Sequence, residues 1–347
     1  MILLGDTHLG IKKFDTKTFE AHVSFIKDVV NYAKEKNKAI FQLGDLFDNR
    51  YMCDIAFLNN VFDLFEFIQS KGVKFYSLLG NHDIYYREKR DISLSRILAK
   101  HFNNFVLYDK QSILEYKGKK IFIVAWLCRD DVLDTSLLEN ADYVFGHLEI
   151  NGFEIIKGHF SENHKLNNED FKIPVFSGHY HLKNKNNNVY YIGTPYQLTW
   201  GDFDTQKGFY DFDVENNKIK FIENKKTAQH LEIHYNGNLE KPIQILGHYD
   251  INKKLSFDLA SFKEKLVIIK NNKNKFIIHT NDSLYEEYLF LMRENNIEFE
   301  IVNRFRIQEI ELNDTKIHST KEIIFSFLSE THKHFIPEIE EMIKECE

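Results

Sequence analysis

The chain has 347 residues, 43% hydrophobic and 28% charged, a balance that excludes a disordered protein and supplies apolar material for one large domain or two to three smaller ones. Its formal net charge of −7 disfavours nucleic-acid binding by bulk charge alone, yet leaves room for a local basic groove or for a site in which metal ions supply positive charge. The cysteines Cys53, Cys128 and Cys346 are far apart and form no CxxC, so neither a disulfide framework nor a thiolate zinc knot is indicated. With no leader pattern and no 18-residue apolar run, the expectation is a soluble, cytoplasmic protein without a membrane association.

The first two hundred residues alternate β-rich runs with helical patterns. Ile2–Leu4 reads as a strand, Thr18–Lys36 as a helix, Ala39–Leu43 as a strand and Ile55–Lys71 as a helix with apolar residues at helical spacing. Val73–Leu79 is the next strand and Ser93–Lys100 a short helix. This rhythm predicts an α/β sheet core. Strands then dominate, at Lys120–Trp126, Tyr143–Phe145, Val175–Phe176 and Val189–Ile192, with Lys183–Asn188 read as a turn and Tyr210–Phe212 with Ile219–Ile222 as a closing hairpin. A mixed sheet, or two packed ones, follows. Past residue 228 the pattern changes: Leu266–Lys270, Phe276–Thr280 and Glu298–Val302 are strand-like and Ser283–Glu294 helix-like, a small second α/β unit. The tail Ser319–Glu347 is helical and amphipathic, with capping-box spacing at Ser319 and Glu322 and a break at Pro337.

Five short motifs follow strand-like runs in order: Gly5-Asp6-Thr7-His8, Gly44-Asp45-Leu46-Phe47-Asp48, Gly80-Asn81-His82-Asp83, Gly146-His147 and Gly178-His179-Tyr180-His181. Each is weak alone, and Gly-His pairs recur at Gly158-His159 and Gly247-His248. Together they put Asp, Asn and His at successive strand ends, which converge on one crevice in an open α/β sheet. Asp6 and His8, like His179 and His181, are two apart and can share one side of an extended segment. Asp45 could bridge two cations through its two carboxylate oxygens, and Asn81 adds a neutral oxygen donor. Mixed O and N donors without thiolate favour Mn²⁺, Fe²⁺ or Zn²⁺ over Mg²⁺ alone. Paired cations can activate a water and clamp a phosphate in an in-line displacement. His82 is placed to contact that phosphate and protonate the leaving oxygen, with the Asp48 carboxylate holding its imidazole. His22, His101, His159 and His164 are expected to be ordinary surface or supporting histidines.

At these residues the sequence resembles the calcineurin-like metallophosphoesterases, and within them the SbcD-type nucleases, including the recombination nucleases of T4-like phages. GDTHLGIK, GDLFDNR, GNHDIYY, GHLEINGFEIIKGH, SGHYH and YIGTPYQLTWGD carry the likeness, which covers residues 1 to about 210. The resemblance implies a core of two packed mixed sheets flanked by helices, with a small α/β cap domain and a C-terminal helical segment. The expected division is a nuclease domain at 1–228, a cap at 229–312 and a helical tail at 313–347. It implies one metal on Asp6, His8, Asp45 and His181, a second on Asp45, Asn81, His147 and His179, and His82 as the catalytic histidine. The cations would be Mn²⁺, with Mg²⁺ as the other candidate. Family members degrade DNA ends from 3′ to 5′ and nick single strands. They homodimerise and form a heterotetramer with an SbcC-type coiled-coil ABC ATPase, in the host cytoplasm for a viral member.

The tail's stripe of Ile324, Phe327, Leu328, Ile339, Met342 and Ile343 suits docking of an amphipathic helix into a partner's groove. Lys12, Lys13, Arg50, Arg87, Lys183 and Lys185 lie close in sequence to motif residues and are candidate DNA contacts. Tyr85, Tyr86 and Trp200 are candidates for base stacking. The rival reading is a phosphatase or phosphodiesterase acting on small phosphoesters, since the same donors treat many phosphoesters alike.

Overall fold

The computed structural model describes residues 1–11, 16–51, 53–156, 158–202, 205–227, 230–234, 244–246, 275–280 and 299–303. The first strands and helices alternate: β1 (Ile2–Leu4), α1 (Thr16–Glu35), β2 (Ile40–Gln42), α2 (Ile55–Ser70), β3 (Phe75–Leu78), α3 (Leu94–His101) and β4 (Phe105–Tyr108). Next come β5 (Ser112–Tyr116), β6 (Lys119–Val124), the short helix α4 (Thr135–Glu139) and β7 (Tyr143–His147). β8 (Glu154–Ile156), β9 (His159–Phe160), β10 (Val175–Gly178), β11 (Asn184–Asn186), β12 (Val189–Tyr191), β13 (Gly208–Asp213) and β14 (Lys218–Glu223) follow.

These strands build two six-stranded mixed sheets, ordered β14-β13-β1-β2-β3-β4 and β11-β12-β10-β7-β6-β5, while β8 and β9 pair separately. In the first, β1 through β4 run parallel and β13 joins β1 antiparallel. In the second, β6, β7, β10 and β12 run parallel, with β5 and β11 antiparallel at the edges. The two sheets therefore have the same plan: a parallel centre whose strand ends gather on one side.

Side-chain alternation sorts the core into layers. Leu3, Phe41 and Leu78 of the first sheet meet Ile121, Ile123, Phe145 and Phe176 of the second. The Phe41 and Phe145 rings lie 5.0 Å apart at 79° across the junction, the edge-to-face geometry aromatic quadrupoles favour. One residue either way along each strand points outward. Ile2, Leu4 and Ile40 pack beneath α1 and α2 with Phe25, Val29, Val61, Leu64 and Phe65. Phe122, Val144 and Val175 pack beneath Leu148, Ile150, Phe153 and Phe171 of the chain that follows β7. α2 starts where Asp54 accepts the amides of Ala56 and Phe57 at 2.8 and 3.1 Å, and buries Phe57, Val61, Leu64, Phe65 and Ile68 at helical spacing.

One sequence expectation here needs correction and one is narrowed. Lys183–Asn188 is more than a turn: Asn184–Asn186 is an edge strand on β12, and only its end reverses, with Asn187 at φ 47°. His22 takes the supporting alternative of its expectation: it is buried and stacked on Tyr196 at 3.5 Å and 9°, and the Tyr196 hydroxyl donates to the Thr7 carbonyl.

Described by itself, a four-stranded sheet is ordered β16-β15-β17-β18, with β15 (His230–His234), β16 (Gln244–Leu246), β17 (Lys275–Thr280) and β18 (Phe299–Asn303). It contains the strands expected at Phe276–Thr280 and Glu298–Val302. The chain divides into two units, Met1–Val302 and Asn303–Glu347. The expected elements Leu266–Lys270 and Ser283–Glu294, the tail with its apolar stripe, and Lys12 and Lys13 lie outside the described residues. Among the described residues no helix is long and apolar enough to cross a membrane.

Candidate metal centre

The five motifs meet above the ends of both sheets. The loop after β1 is fastened to the loop after β2: the amides of Thr7 and His8 donate to the Asp45 carbonyl at 3.1 and 3.0 Å, and the Asp48 amide donates to the Leu9 carbonyl at 3.0 Å. Asp83 ties the third motif to the second by accepting the amides of Phe47 and Gly80 at 3.1 and 2.9 Å. The fifth motif crosses from the other sheet, where the His179 amide donates to both Asp6 oxygens at 3.1 and 2.9 Å.

All seven expected donors converge. Asp45 Oδ1 accepts the His82 amide at 2.7 Å, while Asp45 Oδ2 lies 3.7 Å from His8 Nε2 and 3.4 Å from His147 Nε2. A single oxygen therefore faces both halves of the site, where the sequence reading had both oxygens available. Asn81 Oδ1 sits 2.9 Å from His147 Nε2 and 3.1 Å from His179 Nδ1. His181 Nε2 and His8 Nε2 are 3.2 Å apart. Asp6, Asp45 and His147 are fully or almost fully buried. Convergence does not come from strand alternation: His8, Asp45 and His179 have φ of 41°, 52° and 89°. Non-glycine residues in this left-handed region carry strain that a surrounding structure must hold in place, and such residues cluster at functional sites.

The glycines are explained by crowding. Gly44 has φ +92°, and a Cβ there would fall inside the His147 ring; at Gly80 it would fall inside the Asp45 carboxylate, and at Gly178 against the Leu43 carbonyl and Asp6.

The calcineurin-like phosphoesterase family model matches residues 1–308. The chain belongs to that family. It is 32% identical over 238 residues to "Exonuclease subunit 1" of Enterobacteria phage T4, covering 67% of this chain and 69% of that protein. Among solved structures, an archaeal phosphodiesterase overlaps 64% of this chain and 98% of its own at 15% identity and a TM-score of 0.33. A hypothetical protein from Thermus thermophilus overlaps the same shares at 13% identity and a TM-score of 0.37.

As a calcineurin-like phosphoesterase the chain is a metal-dependent enzyme, and its site fits divalent cations. Asp6, His8 and His181 bring ligand atoms within 4.8 Å of one another, as do Asp6, Asp45 and His147. A third such group joins His8 to Asp48 and His82. Imidazole nitrogens face each other and the same amide oxygen, an arrangement that a positive charge between them satisfies. Protons hold that charge in the metal-free chain. Burial, with Asp45 beside it, pushes Asp6 up to about 7 against the pull of His147. Burial acts to lower His147, but the Asp45 and Asp6 carboxylates outweigh it and carry that imidazole up to about 10. Burial would raise Asp45; the imidazoles of His147, His8 and His82 override it and hold the carboxyl below the usual range. Burial, with His8 adjacent, takes His181 down to about 3. Burial also lowers His82, with His8 and Arg50 adding to the effect and Asp45 opposing it.

The support around these donors differs in part from the sequence reading. His82 Nδ1 lies 2.9 Å from the Asp48 backbone carbonyl, whereas the Asp48 carboxylate is 3.3 Å from His8 Nδ1. The expected carboxylate–imidazole pair is thus replaced by a carbonyl contact, and the carboxylate orients a different histidine. Glu149 was not singled out in sequence. Its carboxylate lies 3.3 Å from His179 Nε2 and 3.5 Å from His164 Nδ1. His147 Nδ1 is held by the Leu43 carbonyl at 2.8 Å, leaving Nε2 for the site. Lys207 was also missed; it is buried, donates to the His181 carbonyl at 2.8 Å and pairs with Asp202 at 2.5 Å.

Among the candidate DNA contacts, Arg87 is exposed on the turn after β3. The Arg50 guanidinium is 5.9 Å from the Tyr51 ring. Lys183 donates to Gln206 at 2.8 Å and covers the Phe221 ring at 4.1 Å, and Lys185 covers the Tyr190 ring at 4.7 Å. Tyr85 and Tyr86 are exposed. Trp200 opens a short 3-10 turn, Trp200–Asp202.

Proposed function

We propose that this chain is the nuclease subunit of an SbcCD-like nuclease–ATPase assembly and hydrolyses DNA phosphodiesters with two divalent cations, Mn²⁺ foremost. What carries the reading is the gathering of Asp6, His8, Asp45, Asn81, His147, His179 and His181 at one point, with His82 at their margin, in a chain similar to a phage exonuclease subunit. One cation would sit on Asp6, His8, Asp45 and His181 and the other on Asp45, Asn81, His147 and His179. Bound divalent cations supply Lewis-acid stabilisation of charge developing on a phosphate. The chain's own residues do the rest. Asp45 and the Asp48 carbonyl fix the backbone and ring of His82, so that its other nitrogen is free to meet the phosphate. Burial holds His82 below its ordinary pKa; the negative charge of a bound phosphodiester acts the opposite way and favours the proton it would donate to the leaving oxygen.

The remaining parts belong to the same proposal: a cap at 229–312, a helical tail at 313–347 docking on a coiled-coil ABC ATPase, a homodimer within a heterotetramer, and a role in DNA recombination, repair and replication. The test is incubation of the full chain with linear duplex DNA and Mn²⁺. Release of nucleotides is expected, and His82→Ala should reduce its rate by roughly 10²- to 10⁴-fold while metal content stays the same. Hydrolysis confined to small phosphoesters would move the assignment to the phosphatase reading.

A further inference from the structure

Three tyrosines beside the site are exposed although their rings touch. Tyr51, Tyr85 and Tyr86 are 60%, 37% and 51% exposed. Tyr51 and Tyr85 meet edge to face at 5.4 Å and 86°, and Tyr85 and Tyr86 at 4.8 Å and 78°. Tyr51 lies three residues past Asp48, and Tyr85 three past His82; the Asp48 carbonyl and the His82 ring are themselves in contact. The cluster therefore rises from the two loops that hold the histidine expected to meet the phosphate. Arg50 places its guanidinium over the Tyr51 ring, 5.9 Å from the centroid, and acts electrostatically on His82.

The ridge is also built to stay in place. Tyr86 and Lys89 close a tight reversal, with the Lys89 amide on the Tyr86 carbonyl at 3.2 Å and the Tyr85 amide on the Ile92 carbonyl at 3.0 Å. Arg90 fastens this reversal to the end of the second sheet, donating from Nε to the Trp126 carbonyl at 2.9 Å and pairing with Asp131. The Arg129 amide donates to Glu88 at 2.5 Å. A loop held by such contacts loses little freedom when a flat ligand lands on the rings it carries. Exposed aromatic rings on a fixed loop, with a guanidinium beside them and next to the histidine proposed to meet the phosphate, match the way proteins hold unpaired bases: rings take the bases and cations take the backbone.

We propose that Tyr51, Tyr85 and Tyr86 form a stacking platform for an unpaired base adjoining the scissile phosphate, so that the site takes single-stranded or frayed DNA strand ends. The inference rests on the nuclease reading and adds to it a base-binding subsite. The paired interior of a duplex hides its ring faces, so the platform selects strands that have come apart.

The test uses the full chain with Mn²⁺ and a short single strand carrying 2-aminopurine between methylphosphonate linkages that resist hydrolysis. Wild-type protein should quench the probe. Tyr86→Leu should weaken binding about 5- to 100-fold, the equivalent of one lost stack, and Tyr86→Trp should restore it. An abasic residue at the probe position should cost wild type the same factor and cost the Leu variant nothing more. Equal binding of abasic and base-bearing strands by wild type would overturn the platform. So would Leu variants that keep full strand affinity but sediment as smaller species, because the rings would then face a second copy of this chain. Release of nucleotides from unmodified duplex by wild type, measured in parallel, reads the nuclease assignment separately.

Discussion

The two sheets share a plan but contribute different chemistry. The loops after β1, β2 and β3 bring the oxygen donors Asp6, Asp45 and Asn81, together with His8 and His82. The strand ends of β7 and β10 bring imidazoles alone: His147, His179 and His181. The first sheet thus sets the site's negative charge and carries His82, the histidine proposed to meet the phosphate. The second closes the site with imidazoles, each held through its other face or its backbone, by Leu43, Glu149 and Lys207. The outer layers differ too. Long helices cover the first sheet, whereas the second is covered largely by the stretch that also carries Glu149.

The largest effect that probes this division is in protons. In the metal-free chain both sides hold protons: Asp6 of the first sheet is pushed up to about 7, and His147 of the second goes up to about 10. Burial acts to lower His8 beside Asp6, but the Asp48, Asp45 and Asp6 carboxylates outweigh it and raise that imidazole. Filling both cation sites needs Asp6 ionised and His8 and His147 neutral, so loading expels protons from the first sheet's donors as well as from His147 below pH 7, and from His147 up to about pH 10. The cation on Asp6 and His8 should gain at least about tenfold in apparent affinity per pH unit below 7, and the cation on His147 about tenfold per unit up to about pH 10. Calorimetry in buffers of different ionisation enthalpy counts the protons directly. A constant count of one across pH 6 to 8 would mean that the first sheet's carboxylate is already ionised, and the division of charge would fail.

The next effect tests whether both sheets need a supporting carboxylate. Asp48 reaches His8 Nδ1 at 3.3 Å in the first sheet, and Glu149 reaches His179 Nε2 at 3.3 Å in the second. Asp48→Asn and Glu149→Gln should each lower the affinity for one of two cations by roughly 10- to 100-fold, leaving the other at its wild-type value. Titration with Mn²⁺ followed by electron paramagnetic resonance distinguishes the two classes. If Glu149→Gln binds both cations as wild type does, the second sheet positions its imidazoles by backbone contacts alone.

Much of this was legible in sequence because each donor lies in a short local motif that ends a strand, and the order of the motifs is the order of the strands. Asp6, Asp45, Asn81 and His147 could be found without knowing which strands are neighbours. Glu149 could not: its meaning depends on β7 lying beside β10, which brings His179 to it, and a lone glutamate two residues past Gly-His carries no signal of that. Asp48 was found in the right place with the wrong atom assigned, since sequence does not say whether a residue acts through its carboxylate or its carbonyl. The left-handed turns at His8, Asp45 and His179 were invisible because the two-residue spacing that suggested an extended segment is equally compatible with a turn. β4 and β5 were passed over because Phe105–Tyr108 and Ser112–Tyr116 are short and separated by only three residues, too little for either pattern to stand out.

The smallest effect concerns the outer layers. Asp54 caps α2 through the amides of Ala56 and Phe57, and Asp134 caps α4 through those of Ser136 and Leu137 at 3.0 and 3.1 Å. The local hydrogen bonds are nearly the same, so loss of either cap removes a similar interaction. What differs is the helix beneath. α2 has 16 residues and buries five side chains against the first sheet, while α4 has 5 residues and buries none. Unpinning α2 weakens a layer that unfolds only with the core, so Asp54→Ala should cost about 1 kcal/mol of global stability in denaturant titration. α4 can fray without the core opening, so Asp134→Ala should raise local amide exchange in residues 134–140 and leave the global midpoint nearly in place. Equal global losses from the two substitutions would show that the second sheet's cover is as firmly part of the cooperative core as the helices over the first.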